Sequence, residues 1–249
     1  MEIPEHIGTG DGFIVKENDV ELLLQVIEDA APDNPRMMGN PGMMVCWHRR
    51  YSLGDEHSYR DGTDFLSTLA TGKDFYERER EENDALANDR EYDNPCDWDR
   101  DKIFTAIRKN HVILPLYLYD HSGITVSTSP FACRFDSGQV GWIYISKEKT
   151  FDTFSDATEE NWQMLGEARL LHEVAVYDDY LTGNVFGCLL HTLDEKLEVV
   201  DTLESRFGFY GAETARNGIF DGYKPVRRVK IRQETTTRTF VDTKTYVEA

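Results

Sequence analysis

Two uninterrupted apolar runs, HVILPLYLY at 111–119 and VGWIYIS at 140–146, limit what this chain can fold into more than any other feature. Each is short, rich in β-branched and aromatic residues, and lacks the polar alternation of a half-exposed strand. Each therefore reads as a strand covered on both faces. Between them lie DHSG at 120–123 and FDSGQ at 135–139, two turns that each carry an acid, a serine and a glycine. Covering both faces of such strands requires helices, so the expected class is α+β: a central, mainly antiparallel sheet with several packed helices.

The helices are sought in the apolar spacing. Leu22, Leu23, Val26 and Ile27 recur at helical intervals behind Asn18 or Asp19 as cap, which predicts a helix ended by Pro32, after a short strand at 13–16. Further helices are expected at 61–70, 97–110 and 159–180, the last closed by Gly183. MMVCWH at 43–48 reads as a compact apolar strand, 184–193 and 197–202 as a hairpin, and RFGFYG at 206–211 as a return toward the core. Residues 1–223 are expected to form one domain. The tail 224–249 is basic and strand-rich, with seven Lys and Arg against two acids over 224–244, the pattern of charged edge strands packing on or extending the sheet.

Charge decides which partners to consider. The chain carries 46 acidic against 27 basic residues, a net charge of −19, which disfavours direct contact with nucleic acid through a broad positive surface. The acids concentrate at 74–101, where twelve of them face four arginines, so this stretch is expected to be a solvated helix-and-loop insertion. Cys46, Cys96, Cys133 and Cys188 are far apart and read as free, buried thiols of a reducing compartment. MEIPEHIGTGDG shows neither a basic start nor an apolar run, and no stretch has the length of a membrane span, so the cytoplasm is the expected location.

Candidate chemistry gathers at the strand ends. Asp120, His121, Asp136 and Ser137 are the residue types of a nucleophile, a general base and a carboxylate that orients it. Adjacent strand residues point to opposite faces, however, and neither Ser122 nor Ser137 sits in a GxSxG elbow, so turn capping by Asp120, Ser122, Asp136 and Ser137 competes with catalysis. Trp47, His48, Arg50, His57 and Gln139, joined by Arg49, Tyr51 and His121, are the candidate lining of a pocket for an anionic or nucleotide-like ligand. His48, Asp55 and His57 are metal-ligand types, but their spacing matches no metal signature. No metal is assigned, and Asp55 is expected to pair with Arg49 or Arg50. Cys46 in its apolar strand is a poor thiol nucleophile.

WHRRYSLGDEH at 47–57, the block LPLYLYDHSGIT through DSGQVGWIYISKE at 114–148, YDDYLTGNVFGC at 177–188 and ESRFGFYG at 204–211 together resemble an uncharacterised family encoded by bacteriophages, prophages and some bacterial and archaeal genomes. The resemblance implies a genomic setting more than a reaction. The expected role is that of a phage or mobile-element accessory protein that binds a host protein through its acidic surface, in an anti-defence or inhibitory capacity. That host protein would be one that itself handles nucleic acid. The alternative is an enzyme or nucleotide-like ligand binder with its site at the DHSG and DSGQ strand ends.

Overall fold

The computed structural model describes residues 1–18, 20–237 and 241–248. In chain order the elements are β1 (Gly12–Glu17), β2 (Val20–Glu28), β3 (Met43–Cys46), α1 (Gly62–Thr71), α2 (Phe75–Ala87), α3 (Arg100–Ile107), β4 (His111–Asp120), β5 (Ile124–Ser127), β6 (Ser137–Ser146), α4 (Lys147–Thr153), α5 (Trp162–Thr182), β7 (Val185–Leu193), β8 (Val199–Tyr210), α6 (Thr214–Asn217), β9 (Lys224–Thr237) and β10 (Val241–Glu248). The class is α+β, and every strand pairing is antiparallel. Among the described residues no helix is long and apolar enough to cross a membrane.

The strands form two sheets, in two compact units of the chain. The first unit comprises residues 1–34 and 179–249 and holds the sheet β10-β9-β1-β2-β7-β8. Its tail extends that sheet, because β9 pairs with β1 along Gly12 to Lys16. β2 corrects the expected N-terminal helix. Leu22, Leu24 and Val26 face a cluster with Phe13, Cys188, Ile219 and Phe220, while Leu23 faces another with Ile14, Val229 and Val247. Both faces are covered, so the run has no two-residue alternation, and its apolar positions fall by chance at helical spacing. Asp19, one of the two caps considered for that helix, and Arg238 of the tail lie outside the described residues.

The second unit, residues 35–178, holds the sheet β3-β6-β4-β5. One face packs on α1 and α3 through Val45, Phe65, Ile103, Ile107 and Ile113. The other receives α5, where Gly166 lets Val112 and Ile145 approach the helix backbone. That two-sided cover is why 111–119 and 140–146 are continuously apolar. Phe65 is fully buried against Trp142 and Tyr144, with ring centroids 5.7 and 5.5 Å away. Burial of such a ring is worth roughly 3 kcal/mol.

The acidic stretch is a helix followed by a loop, and the helix has its own fastening. α2 opens with a reciprocal capping box between Asp74 and Glu77. One turn in, the buried Arg78 donates to Asp64 Oδ1 of α1 at 2.5 Å, to the Lys73 carbonyl at 2.6 Å and to Thr68 Oγ1 at 2.8 Å. The other acids of 74–101 stay outside: eleven of the twelve are exposed. Arg78→Lys keeps the charge but cannot reach three acceptors with a planar fork. It is expected to lower the unfolding free energy by about 1–2 kcal/mol in urea titration, with the loss of helix signal concentrated in α2.

Candidate functional site

The site is assembled by the pairing of β4 with β6. Tyr119 lies opposite Ser137, and the Asp120 amide donates to the Asp136 carbonyl at 2.8 Å, which sets the DHSG and FDSG turns side by side. β3 pairs with β6 on its other edge, and the Trp47 amide donates to the Val140 carbonyl at 2.8 Å, bringing 47–51 to the same end of the sheet. Trp47, His48, Arg49, Arg50, Asp120, Phe135, Asp136, Ser137 and Gln139 thereby border one concavity of about 700 Å³.

The loop 47–57 is held there by a buried ion cluster that the sequence does not announce. Asp55 pairs with Arg36, not with Arg49 or Arg50. Arg36 Nε and Nη2 donate to its two carboxylate oxygens at 2.9 and 2.6 Å, Nη1 donates to Glu173 at 2.8 Å, and Nη2 also reaches the Gly42 carbonyl at 2.7 Å. Burial opposes the charge on Arg36, but its hydrogen bonds to Asp55 and Glu173 outweigh this and raise its pKa. Asp55 also serves the outer edge of β3. Its amide donates to the Met44 carbonyl at 2.8 Å and its carboxylate accepts from the Met44 amide at 2.7 Å. Gly54 is needed beside it, at φ 72° and with the Met44 carbonyl where a Cβ would stand.

Within the concavity, Arg50 forms an ion pair with Asp120, whose other oxygen accepts from the Tyr51 hydroxyl at 3.2 Å. His48 Nδ1 accepts from the amides of Arg50 and Tyr51 at 3.3 Å, which places its proton on Nε2, and the ring lies parallel to Tyr51 with centroids 5.0 Å apart. Asp136 Oδ2 accepts from the Cys133 thiol at 3.4 Å and lies 3.6 Å from His121 Nδ1. Ser137 Oγ donates to the Cys133 carbonyl, and Gln139 Nε2 to the Gly141 carbonyl at 3.2 Å.

These bonds sort the expected residues. Trp47, His48, Arg50, Asp120, Asp136, Ser137 and Gln139 converge. His121 stands behind Asp136 and is not among the lining residues. His57 lies in an adjoining concavity of about 710 Å³ formed by residues 46–57, where Nε2 donates to the Cys46 carbonyl at 3.1 Å and Nδ1 is buried without a partner. The turn-capping expectation is corrected for Asp120, because its carboxylate reaches across to Arg50 and Tyr51 instead of its own turn. The Ser137 hydroxyl proton goes to a carbonyl, so the bond observed is not that of a nucleophile to an imidazole base.

Of the cysteines only Cys188 is buried, and Cys96 is exposed, which corrects the expectation of four buried thiols. Burial pushes the Cys46 thiol up to about 12, with Asp55 adding to the effect, so Cys46 stays protonated. Among the described residues no group of three His, Cys, Asp or Glu side chains is placed to hold a metal ion.

Two residues of the site carried no signal in the sequence. Phe135 opens the FDSGQ turn without a polar group to suggest a role, and its ring is fully exposed at the border of the concavity. Cys133 looked like one more isolated thiol. No family model matches the chain, and no curated protein or solved structure matches it.

Proposed function

We propose that this protein acts by binding: it is a phage or mobile-element accessory protein whose acidic face, formed by α2 and the residues that follow it to Asp101, engages a basic surface of a host protein. The observation that carries this reading is the way the acids are presented. Five of the acids of 74–101 lie on α2 behind its cap Asp74, a helix whose inner side is fastened by buried Arg78, so this part of the negative face is fixed in shape; the other six follow α2, and eleven of the twelve are exposed. Tyr76 and Leu86, 74% and 70% exposed, stand among them as apolar anchors, the combination of charge rim and aromatic contact that protein interfaces use. The phage-like motifs support the setting, and a host protein that itself binds nucleic acid would supply the complementary charge.

Glu79, Glu91 and Asp97 are exposed acids outside the helix caps, suited to charge reversal without unfolding α2. Cross-linking in host cells followed by mass spectrometry is expected to identify a basic partner. Its recovery should fall about tenfold or more both with the triple Lys variant and with Tyr76→Ala. Recovery of every partner at the wild-type level by both variants would end this reading.

A second reading, an enzyme or ligand-binding protein with its site at the strand ends, is supported by the convergence of Trp47, His48, Arg50, Asp120, Asp136, Ser137 and Gln139 on one concavity.

A further inference from the structure

We propose that the strand-end concavity is a binding site for a mononucleotide-like ligand, a flat ring carrying a phosphate, with Phe135 as the stacking surface and Arg49 and Arg50 as the anion contacts. The inference rests on the strand-end reading above and names its ligand class.

Size is the first argument. A volume of about 700 Å³ lies inside the range of roughly 300–1,000 Å³ typical of small-molecule sites. Phe135 is 100% exposed at the border of this concavity, the most exposed large hydrophobic side chain among the described residues. Such a ring is a large apolar area left for a partner to cover.

Charge is the second argument. On a chain of net charge −19, Arg49 and Arg50 project here side by side, and Arg134 is exposed in the Phe135 turn. Among the described residues Arg49 and Arg134 make no ion pair. Arg50 gives only one terminal nitrogen to Asp120 and keeps its side chain 67% exposed, so the fork retains donors while the carboxylate fixes its position. Asp120 is paired with Arg50 and Asp136 accepts from the Cys133 thiol, so Arg49 is the lining cation without an ion pair and Arg50 contributes its remaining N–H donors.

Chemistry of the wall is the third. Trp47 borders the cavity while its ring packs against His57, Phe65 and Trp142, so it is a rigid part of the wall. The exposed Gln139 amide, which spends one N–H on the Gly141 carbonyl, and the Asp136 carboxylate offer a donor and acceptors, as the edge of a heterocyclic base requires. A polynucleotide is the poorer fit, since each further phosphate meets an acidic chain.

The test is titration of the full chain with AMP, GMP, CMP and UMP, and separately with inorganic phosphate, by calorimetry and by Trp fluorescence. At least one nucleotide is expected to bind. Phe135→Ala, which removes a side chain that supports nothing in the fold, should weaken it about tenfold, and Arg49→Glu by a similar factor. Retention of the wild-type melting temperature by both variants separates lost binding from lost folding. Two results overturn the proposal. If phosphate binds as well as every nucleotide and Phe135→Ala changes nothing, the concavity is an anion site and the strand-end reading survives without its ligand class. If neither nucleotides nor phosphate bind, both fall.

Discussion

Replacement of Arg36 by methionine is expected to lower the unfolding free energy by about 3–5 kcal/mol, the range for removing one partner of a buried ion pair. The side chains of Arg36 and Glu173 are 2% and 1% exposed, and that of Asp55 is 20% exposed. Methionine fills similar space but withdraws the Arg36 donors from Asp55, Glu173 and the Gly42 carbonyl. Arg169 Nε remains on Glu173 at 2.9 Å, and the Gly42 amide at 3.0 Å, so Glu173 is only partly abandoned. Asp55 keeps the Met44 amide, which is a neutral donor. Adding Glu173→Gln to Arg36→Met removes one uncompensated charge and should recover part of the deficit, a coupling that a double-mutant cycle in urea would read directly. If Arg36→Met is within about 0.5 kcal/mol of wild type, a level ordinary for surface sites, the cluster is not buried as described. Because Asp55 anchors the loop 47–57, the same variant should also loosen Trp47, and its fluorescence is a second readout.

That cluster marks the limit of what the sequence conveys. WHRRYSLGDEH was legible as a distinctive motif, and its GDEH half looked like candidate chemistry. In the fold Gly54 and Asp55 instead serve the open edge of β3, supplying the partners that an edge strand otherwise seeks from another chain. Nothing in a Pro- and Gly-rich loop could announce Arg36 as the counter-ion, since it lies nineteen residues from Asp55 and 137 from Glu173. The long apolar runs were legible because two-sided burial leaves no room for polar residues, and α1 because Asp61, which accepts from the Asp64 amide at 2.9 Å, precedes a clean apolar stripe. β2 was misread for the same reason that β4 was read correctly: continuous apolarity fixes burial and leaves the period open, and the Leu-rich composition of 22–24 tilted the choice toward helix. The convergence of the site was half visible. The strands announced that DHSG and DSGQ would meet, but pairing of β3 with β6, which adds Trp47 to Arg50, is a long-range event with no local signature.

Gly141→Ala is expected to be the more damaging of two superficially equal changes in the DSGQVG block, costing at least about 3 kcal/mol, the upper end for overpacking a close-packed site. A Cβ at Gly141 would stand 1.9 Å from the Val45 carbonyl oxygen and 2.9 Å from Cys46 Cα, both backbone atoms of β3. No rotamer change relieves a clash with main chain. β3 would have to move away from β6, across the pairing of Cys46 with Gly141 and the adjoining bond from Trp47 to Val140. Gly138, three residues earlier, has nothing within 4 Å of the corresponding position and no left-handed φ, so Gly138→Ala should fall within about 0.5 kcal/mol of wild type. Gly138 takes no left-handed dihedral, and the glycine that matters in this block, Gly141, is fixed by space. Urea titration of the pair checks this, with equal stabilities of the two variants as the failing result. The comparison also bears on the site, because Gly141 is what lets β3 lie close enough for Trp47, His48, Arg49 and Arg50 to border the same concavity as Asp120 and Phe135. A folded remnant of Gly141→Ala should therefore lose the binding assigned to that concavity, while Gly138→Ala keeps its fold and leaves the wall of the site in place.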